Sequence, residues 1–155
     1  MASRPSFNSM WSSFSKVNVA VPQVGNIIGG KVKANIDSGI FQNACAIRMS
    51  YALNNAGINI PRNESKWKTS SGADNKWYIY RVEDMIKFLN DQFYQADVIS
   101  KLSVNKSDFS NKKGILAFNV NWSDATGHVT LWNGVLCSDS CYFEKAGGAQ
   151  LWLLK

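Results

Sequence analysis

In Gln42-Asn43-Ala44-Cys45-Ala46-Ile47-Arg48-Met49-Ser50-Tyr51-Ala52-Leu53-Asn54-Asn55-Ala56-Gly57, the apolar residues Cys45, Met49, Ala52, Leu53 and Ala56 fall at i, i+4, i+7, i+8 and i+11. That is the spacing of one helix face, and it predicts a helix from about Asn43 to Ala56. Asn43 suits the N-cap, Gly57 stands where a left-handed C-terminal residue is wanted, and Pro61 prevents continuation. Cys45 therefore lies in the first turn. There the free backbone N–H groups and the positive end of the helix dipole favour an anion, and thiolate is the anion a cysteine supplies. A free cysteine on an inner helix face is also, more simply, a small buried apolar residue. The rest of the chain has to decide between the two.

Towards the N-terminus, Ser6 is an N-cap candidate, and Phe7, Met10, Trp11 and Phe14 recur at i, i+3, i+4 and i+7, predicting a short amphipathic helix whose aromatic stripe belongs to the core. From Val17 to Asp37 the pattern loosens around Gly25, Gly29 and Gly30, and a loop is expected. Gly29-Gly30-Lys31 is no phosphate loop, because the spaced first glycine and the following Ser/Thr are missing.

Towards the C-terminus, the polar residues between Pro61 and Lys76 read as an exposed connection. A second helix follows, with Val82, Met85, Ile86, Leu89 and Phe93 in period, Glu83 and Asp84 in its first turn, and Glu83 able to pair with Lys87. Gly114 to Trp122 reads as a strand, Ser123 to Gly127 as a turn cluster, and His128 to Trp132 as a second strand; Tyr142-Phe143 and Ala149 to Leu154 offer two more. Helices followed by an antiparallel sheet define an α+β fold, and 155 residues suit one domain over 1–155.

Hydrophobic residues make up 45% and charged residues 18%, with no repeat and no low-complexity run, which excludes a disordered chain. No apolar stretch approaches the ~20 residues of a membrane span, and Met1 to Phe7 carries no apolar signal core. Membrane insertion is thus not expected. Lys and Arg number 17 against 11 Asp and Glu, giving +6. That charge suits an anionic polymer, whether nucleic acid, acidic membrane surface or carboxylate-rich cell wall, and serves plain solubility equally.

The only histidine, His128, heads a strand directly after Gly127, which permits a close backbone approach; the period of two sets it on the face of Thr130 and Trp132. A cysteine at a helix start and a histidine at the start of a later strand is how a cysteine hydrolase pairs nucleophile with base. The imidazolium stabilises thiolate and then protonates the leaving amine. A third polar group must orient the ring, and Asp139 is the candidate, with Asp124 its competitor. For an oxyanion hole, the Cys45 N–H and the Gln42 side-chain amide are the expected donors. Asn43, Asp124 and Gly127, beside the two reactive residues, are expected to contact substrate. Cys137 and Cys141 flank Asp139; with only Cys45 and His128 as further soft ligands, the spacing argues against a structural zinc. A disulfide fixing the Asp139 loop is the better reading, and two reduced thiols the alternative. No cofactor is implied.

Asn43 to Asn54 together with Gly127-His128-Val129-Thr130-Leu131-Trp132-Asn133-Gly134 resembles the fourth family of type VI secretion amidase effectors, over most of the chain and including the two late cysteines. The resemblance implies a papain-like, NlpC-related fold and an antibacterial amidase that cuts peptidoglycan between D-glutamate and meso-diaminopimelate. It carries the nucleophile onto Cys45, the base onto His128 and the orienting acid onto Asp139. It further implies delivery by the type VI secretion machinery into the target periplasm and a cognate immunity protein, with no nucleic acid as partner. One position departs: the family commonly has an acidic residue two after the histidine, where Thr130 stands. Two other readings remain open from the residues alone, a cysteine-dependent protein deamidase and a cationic, Trp-rich wall-binding module.

Overall fold

The computed structural model describes residues 3–101, 104–119 and 127–155. Helix α1 (Phe7–Val17) starts where expected: the Ser6 hydroxyl accepts from the Ser9 N–H, and Phe7, Met10 and Phe14 are buried. The stretch expected as a loop instead folds into two helices, α2 (Val21–Ile28) and α3 (Gly30–Asp37). Their apolar residues Val24, Ile28, Val32 and Ile36 do keep helical spacing, and all four are buried. The periodicity was hidden by Gly29 and Gly30, which form a corner at φ 71° and 61°. At Gly30 a Cβ would meet the Gly72 and Ala73 backbone at 2.6 to 2.8 Å, so only glycine lets α3 start this close to its neighbour.

Helix α4 (Cys45–Asn55) buries Cys45, Met49, Ala52 and Leu53, as their spacing requires. It begins two residues later than expected. Ala44, not Asn43, occupies the cap position, with no side-chain cap. The far end behaves as its sequence directs, with the Ile58 N–H returning to the Leu53 carbonyl past Gly57.

The polar connection after Pro61 is mostly exposed, as expected, but it also carries β1 (Thr69–Ser71), which pairs with β2 (Trp77–Ile79) in a hairpin, and within it Trp67, Thr69 and Ser70 are buried. Two of its polar groups find partners distant in sequence, while the buried Thr69 hydroxyl has none among the described residues. The Lys68 N–H donates to Asp84 Oδ2 at 3.0 Å, and Asn35 Nδ2 donates to the Ser70 hydroxyl at 3.4 Å. Helix α5 (Val82–Phe93) follows as expected, except that Lys87 pairs with Asp84 at 3.7 Å rather than with Glu83.

The remaining strands are β3 (Val98–Ser100), β4 (Gly114–Asn119), β5 (Gly127–Trp132) and β6 (Gly148–Leu153). They form one antiparallel sheet in the order β3-β6-β4-β5. Tyr142-Phe143 supplies no strand; β3 takes the edge instead, and the two rings pack on Phe118 from one face of the sheet. That face carries Leu116, Phe118, Trp132 and Leu151. The opposite face, with Ile115, Ala117, Val129, Leu131 and Trp152, joins α1, α4 and α5 in the main core. The architecture is α+β, helices on one side of an antiparallel sheet. Its consequence for the site is that β5, an edge strand, packs against α4.

Candidate active site

Cys45 opens α4 and is 1% exposed; among the described residues it is the one free cysteine. Its backbone N–H donates to Asn43 Oδ1 at 3.0 Å, so Asn43 braces the turn before the helix instead of capping it. Gln42 is exposed and its Nε2 donates to the Gly39 carbonyl over a long 3.4 Å. The two donors expected for an oxyanion hole thus both have partners within the protein.

His128 is brought to Cys45 by the packing of β5 on α4. It lies opposite Phe118 in the sheet, one step after Gly127, where a Cβ would meet the Phe118 carbonyl at 2.5 Å. Gly127 is therefore required by strand pairing itself. The ring is buried, its edge against Tyr142 with centroids 4.8 Å apart. Nε2 faces the Asp139 carboxylate, 3.1 Å from Oδ1 and 3.0 Å from Oδ2. With Nε2 so engaged, Nδ1 is the nitrogen left for the thiol. Burial works against the imidazolium, but hydrogen bonds to Asp139 and Cys45 prevail and push its pKa up to about 9. The reciprocal effect holds for the acid: burial opposes its charge, yet His128, Thr130 and the Ser140 N–H keep the Asp139 carboxyl below the usual carboxylate range. A charged pair is the resting state at neutral pH.

Asp139 sits on a short loop closed by the Cys137–Cys141 disulfide, with Cα atoms 5.5 Å apart. The loop is fastened to β5 from several sides. Thr130 donates its hydroxyl to Asp139 Oδ1 at 2.5 Å and lies 3.0 Å from the Ser138 hydroxyl, while Ser138 exchanges bonds with the Leu131 backbone at 2.9 and 3.1 Å. Asn18, at the end of α1, donates to the Ser138 carbonyl at 2.9 Å. Arg48 of α4 donates to the carbonyls of Val17 and Val19, at 3.0 and 2.7 Å, on either side of that asparagine. The helix bearing Cys45 and the loop bearing Asp139 are thereby tied to the same three residues. Ser138, Asn18 and Arg48 were not singled out by sequence, and Thr130 only as a departure from the family pattern, without a role. Only Thr130 offered a signal, being two after the histidine on the same strand face. Asp124, the competing acid, lies outside the described residues.

Among the described residues no three His, Cys, Asp or Glu side chains are grouped to hold a metal, and no helix is long and apolar enough to cross a membrane.

A helix headed by cysteine, packed on an antiparallel sheet whose edge strand presents histidine, is the papain-like, NlpC-type α+β fold. The model of a family described as type VI secretion system amidase effector protein 4, Tae4, matches residues 41–152. The chain belongs to that family. It is similar to Tae4 of Enterobacter cloacae in complex with Tai4, at 49% identity and a TM-score of 0.94, covering 99% of this chain and 100% of that one. The Tae4–Tai4 complex of Salmonella Typhimurium gives 51% identity and a TM-score of 0.93 over 99% and 100% of the two chains. Enterobacter cloacae Tae4 alone gives 50%, 0.93, and 99% and 98%. No curated protein matches the chain.

Proposed function

We propose that this amidase effector is a cysteine-dependent hydrolase that cuts the bond between γ-linked D-glutamate and meso-diaminopimelate in peptidoglycan stem peptides. The observation that carries this reading is the position of His128, 3.0 Å from Asp139 and on the strand that packs against the helix opened by Cys45. Cys45 thiolate attacks the γ-carbonyl carbon. The developing oxyanion takes up the Gln42 side-chain amide and the Cys45 N–H, displacing their resting acceptors Gly39 and Asn43. His128, already protonated, gives its proton to the departing diaminopimelate amine as the C–N bond breaks, and a thioester remains. The neutral imidazole then takes a proton from water, which attacks the thioester and releases glutamate with Cys45 restored. Asp139 holds the ring and stabilises its charge throughout. Asn43 and Gly127 border the reacting centre, and Asp124 is the further substrate contact of this proposal.

Membership of the family supports delivery by the type VI machinery and action in the periplasm of a rival cell. The relatives solved with Tai4 support a cognate immunity protein. The reading is tested by digesting diaminopimelate-type sacculi and resolving the muropeptides by mass. Fragments ending in D-glutamate are expected; new termini at another bond, or none, contradict the stated specificity.

A further inference from the structure

Beside the head of α4 lies a cavity of about 350 Å3, lined by Ile40, Phe41, Gln42, Asn43, Tyr80 and Arg81. It is joined to Cys45 through Asn43, whose Oδ1 accepts from the Cys45 N–H. One wall is aromatic: Phe41 stacks on Tyr80 with centroids 4.6 Å apart and an interplanar angle of 25°. The Arg81 guanidinium lies over the Tyr80 ring, 5.8 Å from its centroid. Arg81 is exposed, and among the described residues the ion pairs use Arg4, Lys33, Lys66, Lys87 and His128 but not Arg81. No Asp or Glu lines the cavity. A guanidinium held by a ring face instead of by an acid keeps its planar fork of N–H donors for a ligand, and carboxylate is the group that fork fits.

We infer that Arg81, with the aromatic wall and residues 40–43, forms a subsite that reads a substrate carboxylate next to the scissile bond. The inference rests on the amidase reading above. A γ-linked glutamate keeps its α-carboxylate free, and diaminopimelate brings a second candidate from the other side of the bond. Carboxylate recognition is common to both.

The test measures binding of stem peptides to the Cys45→Ala protein by calorimetry, with Arg81 intact or changed to Gln or Lys. Three peptides are compared: unmodified, amidated at the glutamate α-carboxyl, and amidated at the diaminopimelate carboxyl. Arg81→Gln is expected to weaken binding of the unmodified peptide roughly 10-fold or more, with Arg81→Lys intermediate. Amidating the recognised carboxylate should cost the Arg81 protein the same factor and the Arg81→Gln protein nothing further, which also identifies the source. Equal binding by both proteins, or an equal Arg81→Gln loss on all three peptides, overturns the subsite. If the protein with Cys45 intact fails to cleave the unmodified peptide, the amidase reading falls; cleavage together with Arg81-independent binding removes the subsite alone.

Discussion

The Thr130 hydroxyl gives Asp139 one of the bonds that keep its carboxylate charged and aimed at His128. Thr130→Val preserves shape and removes that donor from a buried anion, a loss of about 1–3 kcal/mol in stabilising the charged form. Turnover should fall roughly tenfold, and Thr130→Ser should restore most of it. A purely structural role would leave the pH profile in place. Removing a donor from the charged form raises the acid's pKa, so the acid limb of the rate profile should move to higher pH; an unmoved limb would show that Thr130 only packs. His128 and Asp139 were readable because a core does not ask for those side chains in those places, whereas Cys45, equally at home in a core, was readable only through its first-turn position and the presence of a histidine to pair with it. Thr130 was not, since threonine is an ordinary strand residue and only its neighbour across the loop gives it work.

Among the elements, α1, α4 and α5 were legible because their apolar residues keep the helical period, and the three longer strands because they are short β-prone runs bounded by turn residues. Helices α2 and α3 are each only eight residues long, and the Gly29-Gly30 corner between them reads as loop chemistry. The β1–β2 hairpin was concealed by its polar sequence, since the partners that hold it, Asp84 for the Lys68 N–H and Asn35 for the Ser70 hydroxyl, are distant in sequence. The same long-range logic joins α1 to the acid loop. Asn18→Ala deletes the bond to the Ser138 carbonyl and releases that loop from the segment held by Arg48. The expected result is a several-fold drop in kcat with a stability loss near 1 kcal/mol, read by steady-state kinetics and denaturant unfolding. Unchanged kcat would mean that the disulfide and Thr130 suffice to place Asp139.

For the whole molecule, the buried His128–Asp139 pair couples the site to global stability. The folded pKa of His128, about 9, stands above the ~6.5 of an unfolded chain. Its contribution is therefore complete below about pH 6.5 and is lost as pH rises through about 9. Asp139 is shifted down, so its contribution is present above the ordinary carboxylate range and lost as acid protonates it. Denaturant unfolding should show stability falling on the order of 3 kcal/mol between pH 6.5 and 9.5. His128→Asn should flatten that slope; the same slope in both proteins would assign it to other groups. The positive net charge of +6 is a second whole-molecule property visible in sequence, and it chooses no partner by itself.

With Cys45 proposed as the nucleophile, the rate of sacculus hydrolysis by Cys45→Ala is the decisive measurement. Removing one sulfur from a buried first-turn position should leave the fold and thermal transition nearly unchanged, while hydrolysis falls at least about 10³-fold. Hydrolysis by Cys45→Ala within a few-fold of the parent rate would show that Cys45 is not the nucleophile.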